Sequence, residues 1–370
     1  MRPRFWRRSG LPASDSIIHF VPGDGPNALV QAIARTNEIR ISILTLYSLD
    51  RTLPNYCLKN DIHHETLGFT KKQLPRQCIT LIKFLRITRP KVVFAHSFYP
   101  SLLCAAVAPF FRHIKFVSVR HHNQVHIISK NMKAILLDKL IASLSFHTIA
   151  VSGAVKETMI SQKAEGSKIT VIFNGLPNPM RLYSSKSLAK EQKVYNLIAL
   201  GRIDWQKNYE GMLRCVAHTR RLGFDLRLSI LGSGNEGYLH SLKQLQNELG
   251  LENVVDWLGR QADIYPHLDN ADLFIHTAID EACPLVLIET MMFGIPIYST
   301  NLGGSRDVLS AYYLGSDPCQ IESFSAGLME SLRNLENLRQ YAHDIRESVI
   351  SDFSDEKMQH EYTSFVKSVL

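Results

Sequence analysis

Residues Ala271–Gly294 read ADLFIHTAIDEACPLVLIETMMFG, and the fold follows from how this stretch is parsed. Asp272–Thr277, apolar at its centre, reads as a buried strand, and a short polar loop follows it. A helix then opens near Pro284–Leu285 and closes at Gly294, with proline and glycine at the ends that suit them. Glu281 falls in the loop and Glu289 eight residues later, inside the helix. In an open α/β sheet, ligands bind beyond the carboxyl ends of the strands, against helix N-termini. Backbone N–H groups of the loop suit an anion, while two carboxylates accept hydrogen bonds from hydroxyls. The expected ligand therefore carries both phosphate and hydroxyl groups, as a nucleotide sugar does.

The same rhythm extends in both directions. Upstream, Asn196–Leu200 runs into Gly201-Arg202-Ile203-Asp204, and Leu226–Leu231 into Gly232-Ser233-Gly234. Val254–Trp257 is a further strand before Gly259-Arg260, and Pro296–Ser299 another after the central stretch. In the first half, Ile17–Val21 stops at the turn PGDGPN, which contains Gly25 and matches neither G-x-G-x-x-G nor a P-loop. Strands Ile41–Leu46, Lys91–Ala95, Phe116–Val119, Thr148–Val151 and Ile169–Phe173 alternate with helical patterns, and Ser152 is a good N-cap. Strands alternating with helices at this spacing predict parallel, doubly wound sheets. Two strands end on histidine: His96 closes one, and Arg120-His121-His122 closes the next. Adjacent imidazoles and a guanidinium at one strand tip are hard to rationalise as core. Pro177–Lys193 is polar, with prolines and a Ser/Lys run, as in a linker.

Composition narrows the class. A chain of 370 residues, 45% hydrophobic, is long enough for two domains. Six cysteines lie scattered without a C-x-x-C pair, which argues against a zinc site or disulfide framework and for a reducing, cytoplasmic compartment. The longest apolar run, Leu102–Phe111, is about half the length of a spanning helix. A net charge of +8 points to an anionic partner. Basic residues gather in the tail RPRFWRR and in KFLRITRPK (Lys83–Lys91), and Phe5 and Trp6 suit contact with an anionic membrane at its inner face. Nucleic acid is not expected as a partner, because no recognition helix, zinc finger or aromatic-basic RNA motif is present.

Five blocks, in order, carry a family resemblance: VIFNG (Val171–Gly175), ALGRIDWQKN (Ala199–Asn208), LSILGSGN (Leu228–Asn235), VVDWLG (Val254–Gly259) and the E-x7-E of Glu281–Glu289. Together they resemble the family 4 glycosyltransferases, retaining enzymes of the GT-B fold, with two Rossmann-like doubly wound domains facing across a cleft. The resemblance implies an acceptor-binding domain over 1–178, a linker over 179–193 and a nucleotide-sugar domain over 194–350. A helix over 351–370 would pack back on the first domain.

Residue by residue, the resemblance implies that Arg202 and Lys207 grip the donor diphosphate. It places Glu281 near the donor sugar and Glu289 on the ribose hydroxyls. Ala282, Cys283, Pro284 and Leu285 would line sugar and phosphate through backbone N–H groups. Gly234 and Arg260 would touch the nucleotide and Gly25 the donor phosphate, while either His121 or His122 would face the transferred sugar. The family usually has glycine where Ala282 stands, and GDGPN departs from the common Gly-Gly-acidic loop. Fixed cations can stabilise a departing diphosphate without a metal, and no Asp-x-Asp triplet appears, so no metal or other cofactor is expected. The activity implied is transfer of a sugar, with retention, to a lipid-linked or saccharide acceptor in surface-polysaccharide or glycolipid assembly. A nucleotide-sugar 2-epimerase and a non-catalytic nucleotide-sugar-binding protein share the architecture.

Overall fold

The computed structural model describes residues 17–23, 28–34, 41–47, 52–68, 73–179, 182–183, 194–309, 317 and 319–370. The basic N-terminal tail, Gly25 with its loop, and most of the expected linker lie outside the described residues. Packing divides the chain into two units, Met1–Pro177 with Asp355–Leu370, and Asn178–Ser354.

Among the described residues, the first unit builds a parallel sheet from β1 (Ile17–Gly23), β2 (Ile41–Tyr47), β3 (His63–Thr66), β4 (Val92–His96), β5 (Lys115–Arg120), β6 (His147–Ala150) and β7 (Ile169–Val171), in the order β3-β2-β1-β4-β5-β6-β7. β4 is buried throughout and β1 and β5 nearly so, as expected of strands covered by helices on both faces. The order reverses between β1 and β4, so their carboxyl ends open a switch-point crevice. Ser152 caps the Gly153–Ser161 helix by accepting from the Val155 N–H at 3.3 Å, and Asn131 caps Met132–Leu144. The Asp355–Val369 helix closes this core: the rings of Tyr362 and Phe365 meet Phe94 edge-on at 5.5 and 6.0 Å.

The second unit repeats the plan with β8 (Tyr195–Leu200), β9 (Leu226–Leu231), β10 (Val255–Gly259), β11 (Leu273–His276) and β12 (Ile297–Ser299), parallel, in the order β10-β9-β8-β11-β12. Its switch point lies between β8 and β11. The central stretch becomes β11 followed by the Leu285–Phe293 helix, which is apolar on most sides and buried, and Gly294 ends it at φ 91°. Lys207 ends a single 3₁₀ turn, Trp205–Lys207, because Asn208 adopts φ 50° and itself caps the Tyr209–Arg221 helix. Among the described residues, no cysteine is joined in a disulfide. Among the described residues, no helix is long and apolar enough to cross a membrane.

Candidate active site

The second unit's switch point brings the loop after β8 against the loop after β11. Asp204 caps the 3₁₀ turn by accepting from the Gln206 N–H at 3.0 Å, and the Gln206 carbonyl accepts from the Ile279 N–H at 2.9 Å. The Thr277 hydroxyl donates to the carbonyls of Lys207 and Asn208 at 3.0 and 3.1 Å. Lys207 therefore stands on a backbone tied to its neighbour on both sides, and its ammonium meets the Glu281 carboxylate in an ion pair. His276, at the tip of β11, places Nε2 3.3 Å from the same carboxylate and Nδ1 3.1 Å from the Ser299 hydroxyl.

Burial alone would push the Glu281 carboxyl up, but the His276 hydrogen bond and the Lys207 ammonium outweigh it and hold the group at about 2. His276 is lowered, chiefly by burial, although its contact with Glu281 works the other way. At neutral pH the cluster is thus a carboxylate, an ammonium and a neutral imidazole. Glu281 is a fixed anion there, too acidic to exchange protons with a substrate. His276 lies outside the residues that the sequence motifs single out, although it carries the same signal as His96, a histidine closing an apolar strand.

The remaining expected site residues of this unit are dispersed around the same end of the sheet. The Arg202 guanidinium is largely exposed, 69% of its side-chain surface being free, and it pairs with Asp204. Gly234 lies so close to the loop after β8 that an added Cβ would sit 2.0 Å from the Ile203 carbonyl oxygen. Arg260 is exposed directly after β10. Ala282 and Cys283 lead through Pro284, the N-cap, into the helix starting at Leu285. Gly304 packs on Ala282 and donates its N–H to the Glu281 carbonyl at 2.7 Å. Glu289 sits one turn into the helix, with the Tyr265 hydroxyl 3.5 Å away, and burial raises its pKa. Arriving hydroxyls would satisfy that carboxyl and draw its pKa back down.

In the first unit, three imidazoles form a chain behind the tip of β5. His19 Nδ1 is 2.9 Å from His96 Nε2, and His96 Nδ1 is 3.2 Å from His121 Nε2. Burial lowers all three, to about 3 for His19 and about 4 for His121, where neighbouring His122 adds to the effect. All are neutral at pH 7, so each contact is an N–H···N bond and the tautomers are coupled. If His121 donates inward, its Nδ1 is an acceptor; if the chain reverses, Nδ1 becomes a donor. His122 has a different neighbourhood. It and His126 contact Asp138 at 3.1 and 2.8 Å, and the Arg120 guanidinium lies 3.6 Å from the same carboxylate. His122, His126 and Asp138 present ligand-type atoms within 4.8 Å of one another. The guanidinium already matches the carboxylate, so the cluster works as a charge-balanced brace that fixes His122.

Comparison with known proteins settles the family. The family described as Glycosyl transferases group 1 matches residues 181–348, and Glycosyltransferase Family 4 matches residues 30–177. The chain belongs to the family 4 glycosyltransferases. Two curated relatives are similar to it. The N-acetyl-α-D-glucosaminyl L-malate synthase of Bacillus anthracis is 24% identical over 295 residues, 75% of each chain. The lipopolysaccharide 1,6-galactosyltransferase of Salmonella typhimurium is 24% identical over 216 residues, 56% of this chain and 58% of that one. Among solved structures, Anabaena HepE in complex with UDP-glucose superposes with a TM-score of 0.81 at 17% identity, covering 95% of this chain and 99% of that one. The expected GT-B class of fold, two doubly wound α/β units, is what the glycosyltransferase has.

Proposed function

We propose that this glycosyltransferase uses a nucleoside diphosphate sugar and transfers the sugar with retention to a hydroxyl of a lipid-linked or saccharide acceptor. The observation that carries this reading is the Lys207–Glu281–His276 cluster at the β8/β11 switch point. As the bond from the anomeric carbon to the diphosphate breaks, negative charge grows on the departing phosphate. Lys207 and Arg202 are the cations offered to it, and they need no metal to do so. Glu281 holds Lys207 in place and accepts hydrogen bonds from sugar hydroxyls, while Glu289 receives the ribose hydroxyls. Glu281 at about 2 is a poor general base. The proton of the acceptor hydroxyl therefore passes to the departing phosphate oxygen, on the face where the new bond forms. His121, the last imidazole of the chain that runs through His96, is assigned to the transferred sugar on the family resemblance.

A second feature supports a lipid-linked acceptor. On the Met132–Leu144 helix, Met132, Leu136, Leu140 and Leu144 are exposed at four-residue intervals, and Phe146 follows. Lys133 and Lys139 belong to the same helix. An exposed apolar ridge with lysines beside it suits a helix lying in the headgroup region of an anionic bilayer.

Titration calorimetry with UDP and GDP, then NMR of the product formed from the better donor, tests the proposal. Retained anomeric configuration, with turnover unchanged by a chelator, is the expected result. An inverted product, or loss of turnover restored by magnesium, would overturn it. An epimer formed from donor alone would favour the epimerase reading.

A further inference from the structure

Behind the brace at the tip of β5 lies a cavity of about 270 Å³ between the Met132–Leu144 and Gly153–Ser161 helices. Arg120 and Asp138 form one wall, shared with the side on which His122 sits. Lys139, Lys163 and Lys168 stand around it, with Gln162 among the lining side chains.

The charges do not cancel. Arg120 is matched by Asp138, and Lys168 pairs with Glu165 at 2.8 Å. Lys139 and Lys163 have no acidic partner among the described residues. Gln162 is 8% exposed; its Oε1 accepts from Arg120 Nη1 at 2.9 Å, and its Nε2 is a buried donor with no partner among the described residues. A buried amide donor without an acceptor is costly, and an oxyanion would satisfy it. Lys163 adds an independent observation. It sits just past the C-cap of the Gly153–Ser161 helix at φ 69°, where glycine is the ordinary residue, so a long cationic side chain stands on backbone that disfavours one.

We propose that this cavity binds a phosphate monoester, held by the ammonium groups of Lys139 and Lys163 and by the Gln162 amide. Two unmatched positive charges suit a dianion, and the volume accommodates a phosphate with a small organic group. Such a phosphate reaches the protein either on a soluble metabolite or on a lipid headgroup, and the apolar ridge on the same helix makes the second source accessible.

The test uses the full chain, titrated calorimetrically with glycerol 3-phosphate and, separately, bound to vesicles of phosphatidic acid or of phosphatidylcholine. Lys163→Gly combined with Lys139→Ala is expected to weaken binding by about tenfold or more, while Arg202→Ala leaves it within about twofold. Glycine at 163 relaxes the backbone, so the double variant should unfold at or above the wild-type temperature, separating lost binding from lost fold. Binding of phosphatidic acid alone assigns the lipid source; binding of glycerol 3-phosphate assigns the soluble one. Failure of both probes to bind would overturn the proposal. So would binding that survives the double variant and vanishes with Arg202→Ala, because the phosphate would then occupy the second unit's site.

Discussion

Replacing Lys207 by methionine tests the candidate site where stability and chemistry meet. In the folded chain the Glu281 carboxyl lies at about 2, against an ordinary 4.5. That difference corresponds to roughly 3 kcal/mol of preference for the ionised form, at about 1.4 kcal/mol per pH unit. Its folded pKa is depressed, so this stability is fully present above pH 4.5 and is lost as pH falls toward 2. Lys207 supplies part of the effect and His276 the rest, so Lys207→Met is expected to cost about 1–2 kcal/mol at pH 7. For a unit of this size, that is about 2–8 °C in Tm. Urea denaturation from pH 7 down to 3.5 should show the two proteins converging as the acid limit nears. Turnover should fall by about 10²- to 10³-fold through loss of one preorganised cation. A stability difference that stays constant across this pH range would refute the electrostatic account. Unchanged turnover would remove Lys207 from the leaving group.

Arg202→Ala should lower turnover by about 10²-fold and leave Tm nearly unchanged, because the guanidinium is mostly exposed; a large Tm drop would mean that it has a structural role instead. Gly234→Ala forces a Cβ to within 2.0 Å of the Ile203 carbonyl, so donor affinity in calorimetry should fall by about tenfold or more as the loops separate. Unaltered affinity would mean that this close approach does not shape the donor site. The lowered histidines set a separate acid limit: His19, His96 and His121 stay neutral when folded but take up protons when unfolded, so stability should decline as pH falls below 6.5. His19→Phe should reduce that slope by about 0.7 kcal/mol per pH unit at pH 6.5, rising to about 1.4 near pH 5, measured by urea midpoints across that range.

What the sequence revealed depended on burial. Strands buried on both faces, such as β4 and β11, appear as continuous apolar runs and were located within a residue or two. β3 has the sequence HHET and is half-buried at the sheet edge, so no apolar period betrays it. The blocks placed Lys207 and Glu281 at two loops of one sheet, but not their pairing, which joins residues 74 apart and depends on hydrogen bonds from Thr277 and Ile279 to backbone carbonyls of the other loop. The apolar ridge of Met132–Leu144 was equally hidden. On sequence it is simply a helix, and only its packing shows that the face bearing Leu136 and Leu140 is left uncovered.

The return of Asp355–Val369 to the first unit has a consequence for biosynthesis. Tyr362 and Phe365 complete the core beside Phe94, yet Asn178–Ser354 must leave the ribosome before they do. The first unit, begun early, therefore stays unfinished while the second is made, and its apolar sheet face is exposed for that interval. A nascent chain stalled near residue 200 should recruit a holdase chaperone that the released protein no longer needs.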